Sequence, residues 1–338
     1  MATKVRWGIL GTANIAQSAF IPAVRQTESG EIGAVGSRTA ARARAFAHKH
    51  GIPAAYDSYA AVLDDPTIDA VYIPLPNTLH AEWIVRAAQA GKHVFCEKPL
   101  TMTYEEAKRA VTACQDAGVI MVEAFVYRFH RQTQRIRELL DAGEIGEVLH
   151  TDARFHYAFG GAPDNIRLRP EVGGGALLDV GCYVLSWARF VMGGLPESIA
   201  ATSIPDEASG VDKTTIAALR FAGGRTATAS SGIRMAGGQY ATIFGTKGQI
   251  EVTRPFHPTP LRDGRSDAQV LLRKGGETLD VSVPSDKLPF YDAVERVQRS
   301  ILAGEPLPFA TMEDALDQAR VMDVCRLAAR EGRWVEIK

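Results

Sequence analysis

The chain has 338 residues, which at roughly 100–200 residues per domain is about two domains. Apolar residues make up 46% and charged residues 23%, ordinary globular usage that excludes a disordered, collagen-like or coiled-coil chain. Lys plus Arg number 38 against 39 for Asp plus Glu, a net charge of −1, which excludes the basic excess of a dedicated nucleic-acid binder and leaves room for a small anionic ligand.

The first half alternates strands and helices. Apolar runs at 5–10, 31–36, 69–75, 92–96 and 119–124 predict strands, and 14–26, 38–50, 80–90 and 104–117 predict helices between them. The last two of these helices are closed by Gly91 and Gly118, the usual helix stop. This βαβ spacing predicts a doubly wound parallel (Rossmann) sheet. Past residue 124 the pattern changes. A helix over 131–142, a strand over 147–159 and an apolar helix running from the Gly173–Gly175 break to about 192 are followed by strand-like runs at 196–203, 213–221, 225–233, 239–244, 248–253, 268–274 and 277–283. Two helices, 289–303 and 311–331, close the chain. Consecutive strands with short turns predict an α+β domain with a large, mostly antiparallel open sheet. The expected division is therefore 1–124 and 125–338.

Cys96, Cys114, Cys182 and Cys325 have no C-x-x-C spacing, and the eight histidines show no H-E-x-x-H or related pattern, so no metal is expected. Scattered cysteines fit a reducing compartment. The sequence Met1-Ala2-Thr3-Lys4 enters an apolar run at once, and no run of about 20 apolar residues is evident. The expectation is a cytoplasmic protein with no membrane or nucleic-acid partner.

The segment from Gly8 to Ala16 follows a strand and opens a helix, where a dinucleotide turn G-x-G-x-x-G/A belongs. Its three positions are Gly11, Ala13 and Ala16, an imperfect match because alanine replaces the middle glycine. The second strand ends Gly36-Ser37-Arg38, without the Asp or Glu that holds the ribose 2′-hydroxyl of NAD, and no acid occurs from Arg38 to His50. Arg binds phosphate oxygens bidentately, so Arg38 predicts NADP over NAD, which is kept as the alternative. Arg42, Arg44 and Lys49 read as a solvated helix face.

Glu97-Lys98-Pro99 ends a strand of the parallel sheet, at the edge where ligands bind in such folds. Asp179 and Tyr183 follow a Gly-rich break, four residues apart on one predicted helix face. Together with GTANIA at 11–16, IPLPNTLH at 73–80, GKHVFCEKP at 91–99, EAFVYRFH at 123–130 and GGGALLDVGCY at 173–183, these segments resemble the glucose–fructose oxidoreductase / inositol dehydrogenase / MocA (Gfo/Idh/MocA) family over essentially the whole chain. Tyr183, where inositol dehydrogenases tend to carry His, with NIR at 165–167, is similar to the branch of NADP-dependent D-xylose 1-dehydrogenases and dihydrodiol dehydrogenases.

The resemblance implies that Gly11, Thr12, Ala13, Asn14 and Ile15 cradle the pyrophosphate, and that Ser37 and Arg38 hold the 2′-phosphate. It implies that Leu75, Asn77, His80 and Glu97 line the nicotinamide ribose, with Lys98 beside them, and that Arg167 reaches the cofactor from the second domain. Tyr127, His156 and Asn165 are candidates for the substrate side. The implied reaction is hydride transfer between C1 of an aldose, D-xylose-like, and NADP. The alternatives are a keto-sugar reductase, a trans-dihydrodiol dehydrogenase or a non-catalytic NADP-sensing regulator. A free tyrosine titrates near ~10, and an adjacent ammonium favours its phenolate. Tyr183 is therefore read as the acid–base group with Lys98 lowering its pKa and Asp179 orienting Lys98 or the substrate; Lys98 itself as proton carrier stays open. A homodimer or homotetramer is implied by resemblance.

Overall fold

The computed structural model describes residues 4–161, 164–259, 267–308 and 310–337. They divide into two units, 1–126 with 288–316, and 127–287 with 317–338.

The first unit holds strands β1 (Val5–Leu10), β2 (Gly30–Gly36), β3 (Ala54–Tyr56), β4 (Ala70–Ile73), β5 (His93–Cys96) and β6 (Met121–Glu123), all parallel in the order β3-β2-β1-β4-β5-β6. Helix α1 covers 14–26 and contains a π turn, Ala16–Phe20. Helices α2 (Ala40–His50), α3 (Tyr59–Leu63), α4 (Asn77–Gln89) and α5 (Tyr104–Asp116) follow. Strand β3 and helix α3 are absent from the sequence reading: three half-buried residues and a five-residue turn are too short to show a period. The order reverses between β1 and β4, and this switch point is where doubly wound folds open a crevice at the carboxyl edge. The unit's core is aromatic. Phe20 stacks on Tyr72 with centroids 4.0 Å apart, and Trp7 meets Phe20 edge-on at 5.3 Å.

The expected contiguous cut after residue 124 is corrected here. Helix α8 (Pro289–Ala303) returns to the first unit. Its Phe290 stands edge-on to Tyr72 and Phe95, both at 6.4 Å, and Ala293, Val294 and Val297 are buried. Its Gln298 Oε1 accepts from the Ser29 hydroxyl at 2.7 Å.

The second unit is a nine-stranded sheet. Its strands are β7 (Val148–Ala158), β8 (Ser198–Pro205), β9 (Asp212–Arg220), β10 (Thr226–Gly232), β11 (Arg234–Gly245), β12 (Gly248–Thr253), β13 (Val270–Lys274), β14 (Glu277–Asp280) and β15 (Val335–Glu336). They run in the order β14-β13-β12-β11-β7-β10-β9-β8-β15, antiparallel except for β7 beside β10. Helices α6 (Arg131–Asp141) and α7 (176–192) belong to this unit, as do residues 317–331 of α9 (Met312–Glu331), whose first residues, 312–316, fall in the first unit. Alternation along β7 sends Thr151, Ala153 and Phe155 to the face that meets α7 and His150, Asp152, Arg154 and His156 to the other face.

The run Pro170–Met192 is long and apolar enough by composition to cross a membrane, contrary to the expectation that no such run exists. In this fold it is core: every residue from Cys182 to Met192 is buried. Two of its polar side chains bond neighbouring residues. The Ser186 hydroxyl bonds Tyr127 at 2.8 Å and accepts from Arg128 Nε at 3.0 Å, and Arg189 reaches Asp317 at 3.2 Å. All four cysteines are buried and unpaired with one another, and desolvation pushes the Cys114 and Cys325 thiols up to about 12.

Candidate active site

In the first unit the carboxyl ends of β1, β2, β4 and β5 carry the predicted cofactor residues. Gly11 has φ +115°, a conformation L side chains rarely adopt, and an added Cβ would stand 3.2 Å from Leu75. Its N–H donates to Gly36 O at 2.9 Å, which pins the turn to the end of β2. Thr12 and Ala13 are half-buried while Asn14 and Ile15 are exposed at the start of α1. This open turn before a helix N-terminus fits a pyrophosphate.

At the end of β2 the two predicted phosphate residues differ. Ser37 is buried and its N–H donates to Tyr56 O, whereas Arg38 is exposed. Arg42 is exposed, as expected, and its Nη2 also donates to Thr12 Oγ1 at 3.4 Å, so it reaches from α2 to the glycine turn. Thr39 caps α2, leaving the positive end of that helix beside Arg38. A 2′-phosphate fits this acid-free edge.

Leu75 follows β4, Asn77 opens α4, and Glu97 and Lys98 follow β5 directly. Glu97 accepts from the Tyr72 hydroxyl at 2.5 Å. Burial holds its carboxyl above the usual range, opposed by that hydrogen bond and by the Lys98 ammonium. His80 is corrected. It is wholly buried, with Nδ1 2.9 Å from Pro99 O and Nε2 2.8 Å from Leu75 O. Each ring nitrogen faces a backbone carbonyl and the neutral ring donates to one of them, so the ring sits between the Leu75 loop and Lys98-Pro99 instead of lining the ribose. Desolvation lowers its pKa, and Lys98 adds to the effect.

In the second unit Asp179 and Tyr183 lie on α7, Asp179 within a π turn, Leu177–Gly181, of the kind found often at functional sites, and Tyr183 just past it. Gly175, with φ +113°, sets the start of this helix, and an added Cβ would fall 2.0 Å from the Asp212 carboxylate. That carboxylate accepts from Leu177 N and the Thr215 hydroxyl, both at 2.7 Å, and so fixes the helix start on β9. Asp179 accepts from the Tyr157 hydroxyl and from Arg167 Nε at 3.0 Å. Burial and the Asp179 charge push the Tyr157 phenol well above its ordinary value, so it remains a donor.

Arg167, implied as a cofactor residue, is thus bonded to Asp179. Asn165 Oδ1 accepts from Arg167 N at 3.1 Å, making it the cap of that turn. Tyr127 is fully buried against Tyr183, Trp187 and Phe256, a core residue instead of a substrate contact. His156 lies on the face of β7 opposite Phe155 and bonds Ser230 Oγ at 2.8 Å. Since Phe155 faces Tyr183, with centroids 5.6 Å apart, His156 points away from it. Two residues absent from the sequence reading stand beside Tyr183. His257 Nε2 is 3.3 Å from its hydroxyl, and Gln239 Nε2 is 3.2 Å from His257 Nδ1.

A dinucleotide turn on a 3-2-1-4-5-6 parallel sheet, followed by a sheet-and-helix unit presenting a tyrosine and a paired aspartate, defines a two-unit Rossmann oxidoreductase. Residues 5–125 match the Gfo/Idh/MocA oxidoreductase family, NAD-binding Rossmann fold, and residues 133–251 match the GFO/IDH/MocA C-terminal domain. The chain is 39% identical to D-xylose 1-dehydrogenase (NADP(+)) 2 of Haloferax volcanii, over 98% of this chain and 99% of that one. It is 33% identical to trans-1,2-dihydrobenzene-1,2-diol dehydrogenase of Xenopus laevis, over 96% and 97%. A 3-ketoreductase from Actinomadura kijaniata, solved with NADP and TDP-benzene, superposes with a TM-score of 0.87 at 32% identity, over 97% and 98%. The chain belongs to the Gfo/Idh/MocA family of oxidoreductases.

Proposed function

We propose that the protein is an NADP-dependent sugar dehydrogenase that oxidises an aldose, D-xylose or a close relative, at C1. The observation that carries this is the end-to-end 39% likeness to a D-xylose 1-dehydrogenase using NADP(+), and the edge of β2 supports it with Arg38 and Arg42 and no acid. A second reading, reduction of a keto-sugar, is favoured by the likeness to the A. kijaniata 3-ketoreductase. It uses the same groups in the reverse direction.

Bound NADP⁺ supplies the hydride acceptor at its nicotinamide ring, and NADPH the donor. The chain's residues orient the reactants and handle the proton. Tyr183 takes the proton of the sugar hydroxyl as its carbon loses hydride, and returns it in reduction. Lys98 supplies the positive charge that favours the deprotonated oxygen. Asp179, held by Tyr157 and Arg167, keeps a fixed carboxylate one turn before Tyr183 on α7. Gly11 to Ile15 receive the pyrophosphate, and Arg38 with Arg42 the 2′-phosphate.

We place the protein in the cytoplasm as a homodimer. Four buried cysteines without a disulfide support a reducing compartment. The face of the second sheet away from α7 exposes Ile204 and Ile216, 49% and 46% accessible, which a second copy would cover. Light scattering on the purified protein reads the mass directly, and a monomer removes the dimer.

The test of activity is reduction of NADP⁺ and NAD⁺ across pentoses, hexoses, inositols and trans-dihydrodiols. The expected result is lactone formation from D-xylose with NADP⁺. A preference for NAD⁺ overturns the cofactor reading. Tyr183→Phe lowers kcat by at least ~100-fold, the lower bound for positioned acid–base catalysis. Near-wild-type turnover of that variant across pH 6–10 removes Tyr183 from the reaction.

A further inference from the structure

His257 lies in the segment after β12 and faces Tyr183, with ring centroids 5.1 Å apart. Its surroundings determine which ring nitrogen carries the proton. Gln239 Oε1 accepts from Phe256 N at 3.1 Å and from His257 N at 3.0 Å. Backbone N–H groups only donate, so the oxygen of that amide is fixed on them. The amide nitrogen, which only donates, is thereby aimed at His257 Nδ1, 3.2 Å away. Nδ1 must accept. A neutral imidazole that accepts at Nδ1 carries its hydrogen at Nε2, and Nε2 stands 3.3 Å from the Tyr183 oxygen.

We infer that Gln239 and His257 form a positioning relay that fixes the Nε2–H tautomer and donates a hydrogen bond to the Tyr183 oxygen, favouring its phenolate. This rests on the assignment of the reaction's proton to Tyr183. In oxidation the phenolate takes the sugar hydroxyl's proton, and in reduction the phenol returns it. His257 keeps its own proton throughout and touches no reactant. Because Tyr183 accepts from His257, its own hydrogen is directed away from that ring. The Gln239 amide also opposes a second proton on His257, since Nδ1–H would then face the amide donors.

Among the described residues of this unit, Asp179 and Arg254 are charged groups near the pair, and each is itself held. Asp179, one turn before Tyr183, is bonded to Tyr157 and Arg167. Arg254 Nε donates to His257 O at 3.3 Å, and its guanidinium pairs with Asp267. Phe155, Phe256 and Tyr127 pack on the Tyr183 ring, and Phe155 also packs on His257.

The test uses the full chain and two readouts that need no turnover. Long-range ¹⁵N–¹H spectra of ¹⁵N-histidine protein, with His257 assigned by its loss in His257→Phe, report the tautomer at pH 7.5. The expected result is an Nε2–H signal with Nδ1 unprotonated. Titration of ¹³Cζ-tyrosine protein, with Tyr183 assigned by Tyr183→Phe, reports the phenol. His257→Phe raises the Tyr183 midpoint by about one unit, the size of one lost hydrogen bond to a charged acceptor. His257→Gln, which places an N–H donor near the Nε2 position, restores most of it, and Gln239→Glu, which draws a second proton onto His257, moves it down. Packing alone would not give shifts of opposite sign. An Nδ1–H tautomer, or equal Tyr183 midpoints in wild type and His257→Phe, overturns the relay whether or not Tyr183→Phe is active. An active Tyr183→Phe enzyme overturns the proton assignment instead.

Discussion

Arg38 and Arg42 differ in what they already hold. Arg42 commits one donor to Thr12 of the dinucleotide turn, and Arg38 is exposed beside the capped start of α2. A hydrogen bond to a charged group contributes about 1.5–3 kcal/mol, roughly 10- to 100-fold in affinity. Arg38→Ala is therefore expected to raise KM for NADP⁺ by at least ~10-fold with NAD⁺ kinetics little changed. Arg42→Ala weakens both cofactors, NADP⁺ more, because the turn loses its tie. Steady-state kinetics with each cofactor separate the two, and equal losses for NADP⁺ and NAD⁺ in Arg38→Ala remove the phosphate role. Arg38 is legible in the sequence because a strand end has a defined place in a doubly wound sheet. Arg42 is not, because an Ala- and Arg-rich helix does not say which arginine leans back toward the turn. His80 misleads for a related reason. Its motif places it near the crevice, but burial against two carbonyls is invisible until β4 and β5 are in register. His156 is placed by strand alternation once the structure sets Phe155 toward α7, which sends it to the opposite face of β7.

Element boundaries are read within a residue where a period is long, as in α5, α6, α8 and α9, whereas α4 begins three residues and β11 five residues before the expected start. The π turns inside α1 and α7 are not legible, because apolar spacing averages over one inserted residue. The start of α7 depends on Asp212, which sits on a different strand and has no sequence signature as its cap. Asp212→Ala is expected to cost about 1–2 kcal/mol, the usual loss for a helix cap, read as a drop in melting temperature, and to lower kcat through the displaced Tyr183. Asp212→Asn, which still accepts, should recover most of both. Helix α6 is capped by His130, whose Nδ1 accepts from Gln132 N at 3.2 Å while Nε2 lies 3.0 Å from the Ser285 hydroxyl. Desolvation, aided by Arg131, lowers its pKa from 6.5 to about 4. The unfolded chain binds a proton from 6.5 downward and the folded one does not until about 4. Stability is thus lost as pH falls through that window, by about 3 kcal/mol in full. The depressed His80 acts with the same sign. Thermal melts of His130→Asn, which keeps a cap but not the titration, should show a shallower fall between pH 6.5 and 4 than wild type, and an unchanged slope rejects His130 as the source.

At the scale of the whole molecule the chain order and the folding units disagree. A contiguous cut near residue 124 follows from the change of pattern, yet the first unit is completed by 288–316. The amphipathic spacing of α8 states that one face is buried without stating against what, so the return is not legible. Its physical content is the aromatic core. Without α8, Tyr72 and Phe95 lose Phe290, and the burial of Phe290, Val294 and Val297 against the first unit goes with the helix. At about 1.5–3 kcal/mol for each fully buried side chain, this is on the order of 5 kcal/mol, comparable to the entire stability of a small domain. Residues 1–126 alone are therefore expected to melt without a cooperative transition and to bind a hydrophobic dye. The same residues joined through a short Gly/Ser linker to 288–316 should melt cooperatively. The docking is specific at Gly30, where an added Cβ would stand 2.0 Å from Gln298 Nε2. In the full chain Gly30→Ala should cost about 1–3 kcal/mol by overpacking that contact, and Gly30→Ala with Gln298→Ala should recover part of it. A cooperative melt of 1–126 at the temperature of the linked fragment would show that the first unit closes its own core and that α8 merely rests on it.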